Sequence, residues 1–67
     1  MAAWSVAETV RFLEAADLHG PAHLCQHNRF NGMDLLGVTE SSLVADLRCT
    51  PFAARKIVGA RENFLKE

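Results

Sequence analysis

Asn31-Gly32-Met33-Asp34-Leu35-Leu36-Gly37-Val38-Thr39-Glu40 is the stretch on which the reading of the fold turns. Arg29-Phe30-Asn31-Gly32 reads as a turn with an aromatic anchor. Asn-Gly is a strong turn signal, often of the hairpin kind. No alternating strand flanks it, so the spacing predicts a loop between helices. Met33-Asp34-Leu35-Leu36 is long enough for one short helix. Thr39 then offers a hydroxyl N-cap, and Glu40 in the following turn suits the positive end of a helix dipole. A further helix is predicted from about Glu40 to Leu47, with Leu43, Val44 and Leu47 directed inward.

Downstream, Thr50-Pro51 is the clearest start signal in the chain: an N-cap threonine followed by proline at the first helical position. About 16 residues without another proline follow. Ile57, Ala60 and Phe64 recur at helical spacing, with Ala54, Val58 and Leu65 as an adjacent row. The last helix is therefore predicted over Pro51–Lys66. Gly59 inside it is expected to mark a close packing contact, because glycine costs a helix interior about 1 kcal/mol against alanine.

Upstream, Ser5-Val6-Ala7-Glu8 has the form of a capping box. Val6, Val10 and Leu13 recur behind it, which predicts a first helix over Val6–Ala16. Asp17-Leu18-His19-Gly20 reads as a connector. Pro21 is expected to open a second helix through His27, with Leu24 as its clearest core residue. No segment sustains period-two alternation. The fold class is all-α: a compact bundle of five helices, the last the longest. The expected core is Trp4, Val10, Leu13, Leu24, Leu35, Leu36, Leu43, Leu47, Ile57 and Phe64.

Sixty-seven residues make at most one small domain. A chain of this length is expected to be a piece of a longer protein. With 49% hydrophobic and 22% charged residues, it has the composition of an ordered globule rather than a disordered segment. No run is apolar enough to span a bilayer, and no secretory signal is visible at Met1-Ala2-Ala3-Trp4. Two cysteines, Cys25 and Cys49, are too few for a disulfide scaffold. They read as free thiols in an intracellular compartment, the cytoplasm before the nucleus.

The net charge of −1 conceals a division. Residues 1–47 hold two cations against six acids, a net of −4. Residues 48–67 hold five cations against two acids, a net of +3. Such asymmetry fits either charged partners or the ordinary scatter of surface charge in a short chain. A protein that coats nucleic acid would be basic throughout.

The five-helix pattern carries a specific set of residues: Trp4-Ser5, then Val10 and Phe12-Leu13-Glu14; Gly32…Leu35-Leu36; Val38-Thr39-Glu40 and Leu43; and Asp46-Leu47 followed by Arg55-Lys56-Ile57. This closely resembles the sterile alpha motif (SAM) domain over residues 4–65. Arg48 and Cys49 stand where that family usually has glycine and a β-branched residue, and Ala53 or Ala54 stands for another glycine. The Leu47-to-Ile57 interval is one residue shorter than the family's commonest spacing.

No spacing joins Ser41, Ser42, Cys25 and the histidines into a nucleophile, base and orienting group, and no glycine loop cradles a phosphate. The chain is therefore not expected to be an enzyme, and no small-molecule substrate or cofactor is implied. His23 and His27 lie four apart, but a structural metal site wants four ligands, so they read as surface histidines and no metal is expected. Arg48, Arg55, Lys56 and Arg61 form the one basic cluster.

The resemblance implies a protein–protein interaction module that mediates homo- or hetero-oligomerisation by head-to-tail contact. The partner is another SAM domain, of this chain or a different one. One surface would draw on Thr50, Pro51, Phe52, Arg55 and Lys56 at the start of the last helix. The opposing, acidic mid-loop surface would draw on Asp34, Glu40 and Asp46, diluted by Arg29 and His27. Phe52 is either an interface anchor or core. The alternative is an RNA-hairpin-binding SAM-like domain using the same basic helix start. Nucleic acid is the lesser reading, because four or five cations stand against eight acids. No membrane insertion is expected.

Overall fold

The computed structural model describes residues 1–66. It has five helices: α1 Val6–Ala15, α2 His19–His27, α3 Gly32–Gly37, α4 Glu40–Asp46 and α5 Pro51–Lys66. There is no strand among the described residues. No helix among the described residues is long and apolar enough to cross a membrane. The radius of gyration is 10.3 Å, against about 11 Å for a compact domain of this length.

Side-chain caps explain where four of the helices begin. At α1 the Glu8 N–H donates to Ser5 Oγ (3.3 Å) and the Ser5 N–H donates to Glu8 Oε1 (3.0 Å). The Ser5 N–H on the carboxylate, and the Ser5 hydroxyl after it, hold the Glu8 carboxyl below its ordinary range. Thr39 caps α4 through the Ser42 N–H, and Thr50 caps α5 through the Ala53 N–H, both at 3.1 Å. A second capping box was hidden in the turn signal. Asn31 is the N-cap of α3: the Asp34 N–H donates to Asn31 Oδ1 at 2.9 Å, and Asp34 Oδ2 accepts from the Asn31 N–H at 3.1 Å.

The helix ends explain the loops. Asp17 (φ 63), Arg29 (φ 54) and Arg48 (φ 58) all adopt left-handed backbone, a position usually filled by glycine. After α1, the Leu18 N–H reaches Leu13 O (2.9 Å) and the Asp17 N–H reaches Glu14 O (3.0 Å). After α2, the Phe30 N–H reaches Cys25 O (2.8 Å) and the Arg29 N–H reaches Gln26 O (3.2 Å). Both are Schellman motifs. After α4, the Cys49 N–H bonds to Leu43 O at 3.2 Å. Each turn drives its next residue inward: Leu18, Phe30 and Cys49 are all buried.

This corrects the expected start of α2. The helix begins at His19, not Pro21, because the reversal at Asp17 takes only two residues. Pro21 then falls at the third helical position, where an N–H would still have no intrahelical acceptor. The buried face shifts with the frame. Leu18, Ala22 and Cys25 recur at i, i+4, i+7 and are buried, whereas Leu24 is only partly so.

Leu13, Leu35, Leu43 and Ile57 are fully buried at the centre, with Leu47 beside them. Thr9 is also buried, its hydroxyl donating to Ser5 O at 2.9 Å. Trp4 and Val10 pack partly buried against this cluster, and Leu36 is half-buried. Two expected inward residues lie nearer the surface. Val44 is 39% exposed, because Leu43 and Leu47 already fill the inner face of α4. Phe64 is 41% exposed, yet it closes an aromatic triad with Trp4 (5.1 Å) and Phe12 (5.5 Å between centroids).

Gly32 is the glycine the fold requires. A Cβ there would collide with the Met1 carbonyl oxygen and lie 2.7 Å from Trp4 Cβ. Its N–H donates to Trp4 O at 3.1 Å, which ties the N-terminal segment to α3. Gly59 marks no close contact: a Cβ there meets nothing within 4 Å. Gly59→Ala is therefore expected to stabilise the domain by about 1 kcal/mol, raising Tm by about 4–8 °C. Thermal unfolding followed by circular dichroism reads this directly, and an unchanged or lower Tm would contradict it.

Candidate interaction surfaces

At the start of α5, Thr50 caps the helix, and Pro51 and Phe52 form its first turn. Phe52 is 64% exposed, so it is not a core residue. Lys56, one turn on, holds its ammonium 4.7 Å from the Phe52 ring centroid. The cation stacks on the ring face. Arg55 is exposed, with Nε 3.9 Å from Glu40 Oε1. Arg48 is exposed in the loop before α5.

A second surface lies between α3 and α4. It is an open depression of about 420 Å³, and its walls include Phe30, Met33, Asp34, Val38, Asp46 and Leu47. Asp34 and Asp46 bring two carboxylates to it. Asp34 spends one oxygen on the α3 capping box. Met33, 60% exposed, supplies apolar surface. Met33 was not singled out from the sequence. Its signal is helical phase, since it lies two residues before fully buried Leu35 and so on the far side of α3.

Helix α4 separates the two surfaces. Ser42 and Asp46, four apart, face the depression. Glu40 and Val44, also four apart, line a shallower groove with Pro51. The three acids named from the sequence are therefore divided: Asp34 and Asp46 share one site, and Glu40 stands beside Arg55.

Arg61 leaves the basic cluster. Its side chain is 13% exposed. Nη1 donates to Val38 O (2.6 Å) and Leu35 O (3.1 Å) and lies 3.5 Å from Leu36 O. Nη2 pairs with Glu62 Oε1 at 2.8 Å. These carbonyls are the orphan acceptors at the C-terminus of α3. Arg61 thus clamps α3 to α5, and Arg48, Arg55 and Lys56 remain as exposed cations.

Cys25 and Cys49 are both free and buried. Burial, with Cys49 nearby as a smaller cause, pushes the Cys25 thiol up to about 12, and burial raises Cys49 as well. Both thiols stay protonated at neutral pH and are poor nucleophiles. His23 and His27 are exposed, and His19 Nε2 lies 3.4 Å from Asp17 Oδ1. No group of three ligating side chains among the described residues is placed to hold a metal ion.

Comparison of the chain with protein-family models, with curated proteins and with solved structures finds no match.

Proposed function

We propose that this chain is a SAM-type protein-interaction module that binds another such domain, its own copy included, head to tail. The observation that carries the reading is the exposed Phe52 at the start of α5, with Lys56 over its ring. A phenylalanine left 64% in water forgoes burial worth about 1–2 kcal/mol. The depression holding Met33, Asp34 and Asp46 offers the complement, an apolar floor with carboxylates. The left-handed backbone at Arg48 supports the SAM reading as well. The family pattern has glycine there, and φ 58 is a conformation glycine adopts freely. The RNA-hairpin alternative loses Arg61 to the α3 carbonyls, and electrostatic affinity for RNA falls with each cation lost.

A head-to-tail contact is heterologous, so self-binding builds open chains unless the rotation closes. Arg55→Glu with Lys56→Glu is expected to abolish association, as is Asp34→Lys with Asp46→Lys. Mixing the two defective proteins restores only a dimer, because each retains one working surface. Phe52→Ala is expected to weaken binding about tenfold or more. Because its ring is exposed, folding stability should stay within about 0.5 kcal/mol. Sedimentation across concentration and salt reads all of these. If both charge-reversed proteins associate like wild type, the reading fails.

A further inference from the structure

Resting on that reading, we infer that Glu40 is an internal competitor for the docking carboxylates: it occupies Arg55 within the free domain and is displaced when a partner binds. Glu40 cannot join Asp46 in a single acidic surface. The two are six residues apart on α4, which at 3.6 residues per turn sets them about 120° apart around the helix. Asp46 faces the depression between α3 and α4, and Glu40 faces the groove with Pro51. There Glu40 Oε1 lies 3.9 Å from Arg55 Nε, with both side chains more than half exposed. A solvated pair this long is weak and readily exchanged. The basic surface is thus partly neutralised from within. Lys56 rests on the Phe52 ring, and Arg55 leans towards Glu40. A partner presenting Asp34 and Asp46 must meet this carboxylate before it gains Arg55. Glu40 therefore repels the partner and holds its target, both of which weaken association.

Glu40 thus acts with the opposite sign to an acidic docking residue. In dilute buffer, Glu40→Gln should lower the dissociation constant for self-association about two- to fivefold, and the gain should fade as salt rises. Asp46→Asn should raise it. In an Arg55→Gln background the Glu40→Gln gain should shrink, because the competed cation is gone. Sedimentation equilibrium of the whole chain at low and high salt reads each value. If Glu40→Gln weakens association as Asp46→Asn does, or leaves it unchanged, the inference is overturned and the head-to-tail reading survives. If instead the paired charge reversals change nothing, or wild type and Glu40→Gln both stay monomeric at every concentration, self-association fails and this inference falls with it.

Discussion

Arg61→Ala is expected to destabilise the domain by about 2–4 kcal/mol. The reason is the accounting of backbone acceptors at the end of α3. A helix of six residues has more unpaired carbonyls than internal hydrogen bonds. Arg61 supplies donors to those of Leu35 and Val38 and stands close to that of Leu36. Its charge also lies at the negative end of the α3 dipole. Alanine removes all of this and opens the space left by a side chain that is almost wholly covered. Lysine keeps the charge but not the planar fork, so Arg61→Lys should recover only part of the loss. Arg55→Ala, an exposed cation in a long ion pair, is the control and should change stability by less than about 1 kcal/mol. Chemical denaturation of the three variants decides it. If Arg61→Ala is no less stable than Arg55→Ala, the clamp contributes nothing to folding.

The role of Arg61 shows where sequence reading stops. Its acceptors lie 23 to 26 residues away, and nothing in Ala60-Arg61-Glu62 announces them. Only its spacing, four residues beyond fully buried Ile57, places it on the inward face of α5. Local signals fared better because their physics is local. The Ser5/Glu8 box and the Thr39 and Thr50 caps each join residues three apart, and each is present. The frame of α2 is not legible locally because the usual marker of a helix stop, glycine in left-handed backbone, is replaced by Asp17. Without that marker, Pro21 has the look of the start. The candidate surfaces divide in the same way. Asp34, Asp46, Phe52 and Lys56 could be named from sequence, but the phase of α4 was only partly legible, because Val44 beside Leu43 looks equally apolar and yet lies at the surface. That Glu40 lies beside Arg55 could not be read at all, because it depends on how α4 packs against α5.

Leu35→Ala and Ile57→Ala are each expected to remove about 2–5 kcal/mol. A domain this small rarely has more than about 3–5 kcal/mol in total. Both side chains are fully buried, so each truncation loses transfer free energy and leaves a cavity that the surrounding helices fill only in part. Leu36 has the same chemistry as Leu35 and sits next to it, and the sequence put both in the core. On α3, however, adjacent residues point about 100° apart. Leu35 takes the inner position and Leu36 is left half-buried. Leu36→Ala should therefore cost only about 1 kcal/mol, the share of a leucine's burial it loses. The contrast between neighbours tests the orientation of α3, and with it the placement of Met33 and Asp34 along the depression. Urea unfolding of Leu35→Ala, Leu36→Ala and Ile57→Ala, with Leu35→Met as a conservative control, separates packing loss from general intolerance. Equal losses at Leu35 and Leu36 would mean that α3 is rotated. The depression between α3 and α4 would then have a different floor.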